Sequence, residues 1–305
     1  MRKALILFLS LAALGGCAVS PDKENGGAGK LILAEPVSVP FQAEVELARL
    51  EEILYKAELS QEQQAQLLYR RGVILDSVGL KALARRDFNR AIQLKPDLAD
   101  AYNFVGIHAI AEEEFDQAYE ALDAAIELQP GHDYAYLNRG IALYYGGRPT
   151  LAVRDFEEFL NRQPDDPYRL LWLFLAEQEI NRPEALARLA YNASRLAPDV
   201  WGNQIVALYL GRITKARFVA GLTEGVSSNK ELAERLCEAY FYLGKLHQFF
   251  GQEEQAINYF KLALTTNVQD FIEHRYARLE LKRLRQARAA RKEAERKALE
   301  AAQAG

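Results

Sequence analysis

The sequence predicts an all-α protein built as a solenoid of stacked helical hairpins, with extra helices at both ends. Pro96, Pro130, Pro164 and Pro198 recur every 34 residues, and a fixed period of this length is typical of stacked helix–turn–helix repeats. No alternating run of β-branched residues occurs, so we expect essentially no sheet. One hairpin cannot bury its own apolar face, so the repeats must stack and share a continuous core.

Each repeat also carries small and large residues at fixed positions. A glycine is followed after 12, 16 and 19 residues by an alanine, a large apolar residue and another apolar residue, and after 24 residues by the proline. The small residues let two helices approach closely, the large residue fills the space toward the next repeat, and the proline ends the second helix. The four sets are Gly72, Ala84, Phe88, Ala91 and Pro96; Gly106, Ala118, Leu122, Ala125 and Pro130; Gly140, Ala152, Phe156, Phe159 and Pro164; and Gly244, Ala256, Phe260 and Ala263, with Val268 where the proline would stand.

The chain begins with a segment typical of lipoprotein signal peptides, residues 1–16. A positively charged start precedes the apolar run 4–14, which is too short to span a bilayer as a mature helix. The run ends in Leu-Gly-Gly-Cys at 14–17, which resembles the lipobox of bacterial lipoproteins. This resemblance implies cleavage before Cys17, lipidation of its thiol, and an outer-membrane anchor that faces the periplasm. An ordinary secretory signal with an incidental cysteine is the alternative.

Residues 17–40 are predicted to form the lipidated cysteine and a flexible tether. They contain three glycines, three prolines and few residues that could form a core. A flexible chain of this length has a root-mean-square reach of roughly 25–30 Å. We therefore expect the folded body to lie near the membrane while moving freely.

The helical array is predicted over residues 41–274. A helix near 42–58 precedes the repeats, and a helix that begins near 271 closes the array. Residues 167–200 keep the period but lack the glycine and the alanine, so they form a degenerate repeat, while 201–236 are helical in composition but out of register. The full repeats are 65–98, 99–132, 133–166 and 237–270.

The end of the chain, residues 275–305, is predicted to be a basic helix. It holds ten Lys or Arg and four Glu, a charge of +6, whereas the whole chain has a net charge of −4. Two interpretations are open: a solvated helical extension, or a surface that contacts anionic envelope polymers or lipid head groups. The cations that alternate with leucines and alanines are Arg278, Lys282, Arg285 and Arg288.

No catalytic or metal-binding motif is evident. The histidines His108, His132, His247 and His274 do not have the spacing of metal ligands, and no nucleophile elbow or phosphate-binding glycine loop occurs. Cys237 is expected to be a small buried hydrophobe, with a reactive thiol as the alternative. His132 lies in an inter-repeat turn and is expected to be exposed. We therefore expect no enzyme activity, no cofactor, no metal site and no nucleic-acid partner.

The concave surface is the predicted functional site, because the first helix of each hairpin lines the inner face of such a stack. The inward positions are mainly apolar and aromatic, which favours a groove for the apolar anchors of a peptide or helix over a site for a terminal carboxylate. Alternatively, the chain's own helices fill the groove, with 201–236 the expected segment. The predicted groove residues are Tyr69, Val73, Asp76, Asn103, Ile107, Ile110, Leu137, Ile141, Tyr144, Tyr145, Phe241, Lys245 and Gln248.

The repeat pattern resembles the tetratricopeptide repeat. A second, more specific resemblance is carried by longer stretches, 67–73, 137–148, 171–178, 241–245 and 273–277. These stretches resemble the NlpI-type lipoproteins of Gram-negative bacteria. The second resemblance runs from the lipobox to about residue 284, and the basic, alanine-rich end departs from it. It implies a non-catalytic homodimer at the outer membrane that binds a periplasmic tail-specific protease and presents a murein endopeptidase to it. It also implies scaffolding of other peptidoglycan hydrolases, and thereby coordination of cell-wall growth and division. An assembly factor for an outer-membrane complex is the alternative.

Overall fold

All regular secondary structure in the computed structural model, which describes residues 31–304, is helical. The predicted signal peptide, Cys17 and most of the tether lie outside the described residues. Short 3-10 helices at Ala193–Arg195 and Gly221–Thr223 join some of the α-helices. The α-helices of the described chain are α1 Phe41–Lys56, α2 Gln61–Ser77, α3 Lys81–Leu94, α4 Ala99–Glu112, α5 Phe115–Leu128, α6 Asp133–Tyr145, α7 Pro149–Arg162, α8 Pro167–Glu177, α9 Arg182–Asn192, α10 Gly202–Tyr209, α11 Lys215–Ala220, α12 Asn229–Phe249, α13 Glu253–Thr265 and α14 Ile272–Ala304.

The helices pair into hairpins that stack in series, which confirms the predicted all-α solenoid. The hairpins α2–α3, α4–α5, α6–α7 and α12–α13 each pack tightly, and α3 packs on α4, α5 on α6, and α7 on α8. The repeated glycine is the point of closest approach within a hairpin. A Cβ added to Gly140 would lie 2.7 Å from the Cε1 atom of Phe156, closer than van der Waals packing allows. Phe156 itself is fully buried.

The repeat prolines act through the residue that precedes them. Lys95, Gln129 and Gln163 each follow the last residue of a second helix and have φ between −139° and −150° with ψ between 80° and 88°. The residue before a proline is driven out of the helical region, since the proline ring collides with its backbone. This restriction ends α3, α5 and α7 at the same point of each repeat.

The middle of the chain departs from the period. The hairpin α8–α9 follows as the degenerate repeat, and α10 and α11 are short helices separated by a break at Gly211, whose φ is +67°. Helix α12 begins at Asn229, before the repeat start predicted at residue 237, because Ser228 caps it by accepting a hydrogen bond from the Glu231 amide at 3.1 Å. The first helix of the last repeat is therefore longer than the period indicates.

Helix α14 crosses the inner face of the array. It packs against α4, α12 and α13, and ring contacts and an ion pair also join it to α2, α6 and α8. These partners are mostly the first helices of hairpins, which line the inside of the stack. The apolar residues that α14 buries there are Tyr276, Ala277, Leu279 and Leu281.

The two ends of the array meet. The amide of Val37 donates to the carbonyl of Thr266 at 2.9 Å, and the Asn267 side chain donates to the carbonyl of Val37 at 2.6 Å. Residues 33–40, predicted as part of the flexible tether, thus pack on the last repeat because Val37 fits its apolar surface. The Lys81 ammonium also donates to the carbonyl of Gln269 at 3.4 Å, so the first repeat contacts the loop after the last.

Two single-residue expectations have different outcomes. Cys237 is fully buried beside Ala233 and Val268, and burial raises the pKa of its thiol, so it behaves as a packed hydrophobe. His132, expected to be exposed, is 8% exposed because its Nδ1 atom accepts a hydrogen bond from the Ala135 amide and caps α6. None of the helices between residues 31 and 304 has the length and apolar character needed to cross a membrane.

Candidate partner-binding surface

The inner face of the array is largely a core. Of the predicted groove residues, Tyr69, Val73, Tyr144 and Gln248 are half-buried. A partner could reach the remaining nine only if the chain's own helices moved away. The buried ones are Asp76, Asn103, Ile107, Ile110, Leu137, Ile141, Tyr145, Phe241 and Lys245.

Aromatic rings fill the middle of this face. The fully buried Trp172 of α8 lies 6.0 Å from the Phe241 ring of α12 and 5.8 Å from the Tyr276 ring of α14, measured between ring centroids. It also lies 5.9 Å from the Phe156 ring of α7. The helices that fill the predicted groove are therefore α14 and α12, and Tyr209 of α10 joins them, since its hydroxyl donates to the Tyr242 carbonyl at 2.7 Å. The periodic pattern does not include α14, so the sequence did not indicate the part that this helix takes in filling the groove.

A buried ion pair fixes α14 to α12. The Lys245 ammonium contacts the Glu280 carboxylate at 2.5 Å, and Glu280 also accepts hydrogen bonds from the Tyr145 hydroxyl and the Gln248 amide, both at 2.9 Å. Burial by itself would raise the pKa of Glu280, but Lys245 and these hydrogen bonds outweigh burial and hold the pKa below its usual range. Three predicted groove residues thus hold the chain's own helix in place.

A second carboxylate fixes α14 to the first two repeats. Asp76 lies 2.7 Å from His108 Nε2 and 3.2 Å from Lys81 Nζ, and it accepts a hydrogen bond from Arg275 of α14 at 2.8 Å. Burial opposes ionisation of Asp76, yet these three partners hold its pKa far below the usual range. Asp76 was predicted to face a partner, and it instead joins α2, α3, α4 and α14.

One open cavity contains two of the predicted groove residues. It has a volume of about 660 Å³ and lies between α1 and α2 at the start of the array. Tyr69 and Val73 line it together with Leu67 and Arg70 of α2 and Glu46 of α1. Tyr69 also packs edge-on against Phe104, at 6.2 Å between ring centroids. This cavity of the first repeat is apolar along α2, with charged side chains at its edge, and it is an accessible part of the predicted groove.

A second cavity, of about 420 Å³, lies between α3, α4 and α14. Burial, followed by the charge of Arg275, lowers the pKa of Lys81 to about 8, and burial, followed by the charge of Arg278, lowers the pKa of His274 to about 4. The sequence predicts Arg278 and Lys282 as part of a basic helix, but its pattern does not place α3 opposite them. The cationic and histidine residues that line this cavity are Lys81, Arg85, His108, His274, Arg275, Arg278 and Lys282.

Several solved structures are similar to parts of this chain. MamA is 22% identical over 49% of this chain and 85% of MamA, with a TM-score of 0.44. A MamA chain from Desulfovibrio magneticus RS-1, residue 41 to its end, is 16% identical over 52% of this chain and 97% of that chain, with a TM-score of 0.41. YrrB, a TPR protein with an unusual peptide-binding site, is 16% identical over 79% of this chain and 99% of YrrB, with a TM-score of 0.41.

The family comparison identifies the repeats themselves. Residues 65–98 and 238–267 match the family model of the tetratricopeptide repeat, and both segments are helical hairpins in the structure, α2–α3 and α12–α13. This repeat is typical of non-catalytic scaffolds and adaptors that bind protein partners. The chain contains tetratricopeptide repeats within an all-α solenoid.

Proposed function

We propose that this protein is a non-catalytic adaptor that binds partner proteins at an open cavity of a closed repeat array. The observation that carries the proposal is the cavity of about 660 Å³ beside Tyr69 and Val73, formed by the first matched repeat. Its apolar and aromatic lining suits the side chains by which a peptide or helix anchors itself. Binding there requires no movement of α14.

The specific partners that we propose come from the resemblance to NlpI-type lipoproteins. The adaptor binds a periplasmic tail-specific protease and presents a murein endopeptidase to it, and it also scaffolds other peptidoglycan hydrolases. It acts as a homodimer held at the outer membrane through lipid on Cys17. The repeats and the residues that carry the resemblance support this proposal.

The adaptor proposal can be tested by photo-crosslinking in cells. A benzoylphenylalanine placed at Leu67, inside the cavity, should crosslink to the protease or to a peptidoglycan hydrolase, identified by mass spectrometry. The matched control is the same residue placed at Leu83, which is 42% exposed and outside both cavities. Substitutions at Leu137 would not serve, since that side chain is 3% exposed and its loss would disturb the core.

Other outcomes would overturn parts of the proposal. Crosslinks at Leu67 mainly to secretin or pilus components would favour the assembly factor for an outer-membrane complex. Release of murein fragments by the pure protein alone would contradict a non-catalytic role. A monomeric mass in sedimentation equilibrium would contradict the proposed homodimer.

A further inference from the structure

We propose that the cavity between α3, α4 and α14 is a second binding site, and that it takes an acidic segment of a protein partner. The inference rests on the proposed adaptor function and adds the chemistry of a partner to it. Arg278 and Lys81 bind a carboxylate of the partner, and Ala111 and Leu279 contact an apolar side chain next to that carboxylate.

The charges around the cavity leave one cation without a partner among the described residues. Arg85 pairs with Glu114 at 2.5 Å and Lys282 pairs with Glu113 at 3.0 Å. Arg278 is exposed to the cavity and makes no ion pair or hydrogen bond within residues 31–304.

Beside Arg278, a single carboxylate serves several positive groups. Asp76 is shared by Lys81, Arg275 and His108. The one acidic residue on the lining, Glu112, is exposed to solvent. The low pKa values of Lys81 and His274 reflect in part the charge of neighbouring arginines. A bound carboxylate would relieve this repulsion and supply the partner that Arg278 lacks.

The shape of the site favours a peptide over a lipid surface or an extended polyanion. A cavity of about 420 Å³ lies in the size range of ligand pockets, and Ala82, Ala111 and Leu279 give it an apolar wall. A flat bilayer cannot enter such a recess. The exposed end of α14 has many basic residues, but Arg291 and Arg296 pair with glutamates. Its attraction for polyanions is therefore weaker than the number of its cations indicates.

The test is selection of random peptides on the full chain purified in mild detergent, followed by fluorescence anisotropy with the selected peptides. We expect peptides in which Asp or Glu stands beside Leu, Ile or Val. Arg278→Glu should weaken their binding by about tenfold or more, as for loss of a charged hydrogen bond. Arg285→Glu is the matched control, because it makes the same charge change two turns along α14 and outside the cavity, and it should weaken binding by less than about twofold.

Several results would overturn the inference. Selected peptides without enrichment in acidic residues would do so, as would equal binding to the Arg278→Glu and Arg285→Glu variants. Acidic peptides that fail to bind while inorganic phosphate or phosphatidylglycerol vesicles bind through Arg278 would assign the site to another ligand. If Arg278→Glu leaves the Leu67 crosslinks and peptide binding unchanged, the adaptor proposal stands and this site does not. A selection that returns no peptide, together with no crosslink at Leu67, would count against both.

Discussion

At the scale of single residues, one contact recurs through the molecule: a glycine on the first helix of a hairpin against an apolar side chain 16 residues later. A Cβ on Gly106 would lie 2.5 Å from Leu122 Cγ, and one on Gly244 would lie 2.5 Å from Phe260 Cε1. The glycine therefore remains despite its cost to helix stability, about 1 kcal/mol relative to alanine. The 16-residue spacing between the glycine and the large apolar residue in the sequence results from this contact.

Gly140→Ala should destabilise the protein even though alanine is the better helix former. Its methyl group would collide with the Phe156 ring, and overpacking of a core typically lowers stability by about 1–3 kcal/mol. The higher helix propensity of alanine offsets only part of this loss. Urea unfolding should show a lower midpoint. The control is Gly131→Ala, whose Cβ would meet nothing within 4 Å, and a larger loss there than at Gly140 would contradict the packing argument.

Glu273 makes stability depend on pH. Burial raises its pKa to about 7 from 4.5, so the folded state holds a proton that the unfolded state has lost between these values. The contribution of this group to stability therefore falls as pH rises from about 4.5 to 7. His274 acts in the opposite sense, because its pKa of about 4 means that stability is lost as pH falls below the unfolded value.

Glu273→Gln isolates the first effect. The free energy of unfolding of the variant should equal that of the wild type near pH 4.5. Above pH 7 it should be higher than that of the wild type by on the order of 2–3 kcal/mol. Chemical denaturation across this pH range measures the difference. Exposed Glu120 is the control, and Glu120→Gln should show no such trend. A difference at Glu273 that does not change with pH would mean that the carboxyl is not buried as described.

At the scale of elements, α14 is one helix with two roles. Its first half buries Tyr276 and Leu279 and carries Glu280, the partner of Lys245. The second half is exposed, and its contacts with α13 are ion pairs at the surface, such as Arg288 with Glu254 at 3.4 Å. The first half belongs to the core, and the second extends from it.

Truncation should separate these roles. Deletion of 286–305 removes only exposed ion pairs and should cost less than about 1 kcal/mol for each pair. Deletion of 272–305 also removes Tyr276, Leu279 and the other buried residues of α14. Loss of a single large core side chain typically costs about 2–5 kcal/mol, so this deletion should cost more than that. Thermal unfolding followed by circular dichroism compares the two. Equal stability of both truncated chains would show that α14 is dispensable for the core.

At the scale of the whole molecule, the array is closed where an open solenoid would end. Stacked repeats contact only their neighbours and therefore unfold from their ends. Here residues 33–40 and Lys81 contact the last repeat and its following loop, so each end protects the other. The closed form also explains why most of the inner face is a core, while partners are expected at the cavities that stay open.

Asn229→Ala should loosen this closure. Its side chain accepts a hydrogen bond from the Glu35 amide and donates one to the Glu35 carbonyl, both at 2.9 Å. Hydrogen exchange at Val37 should become faster, while global stability falls by only about 1 kcal/mol. Lys230→Ala, one residue along α12, is the control. If hydrogen exchange at residues 33–40 is unchanged in the Asn229 variant, these two hydrogen bonds do not hold the ends of the array together.

Of the predicted groove residues, two line an open cavity and nine are buried. Tyr69 and Val73 line the cavity beside α1, because α14 contacts α2 near the end of that helix, at Asp76. Ile107 and Phe241 occupy the equivalent positions of other repeats and are buried, because α14 packs against α4 and α12, the helices that carry them. Equivalent positions in a repeat have equal geometry within the hairpin, but what covers each hairpin differs along the stack.

The sequence by itself determined the helical hairpins, their turns and the order in which they stack. Each of these depends on contacts between residues at short, repeated separations, such as Gly140 with Phe156, so the period displays them directly. Only the tertiary structure decided where α14 lies and which inner residues stay open. The contact between Asp76 and Arg275 joins residues 199 positions apart, and it occurs once. Because such a contact does not repeat along the chain, it leaves no periodic pattern in the sequence. The position of α14 depends on such contacts and on the apolar surface that α14 buries in the folded protein.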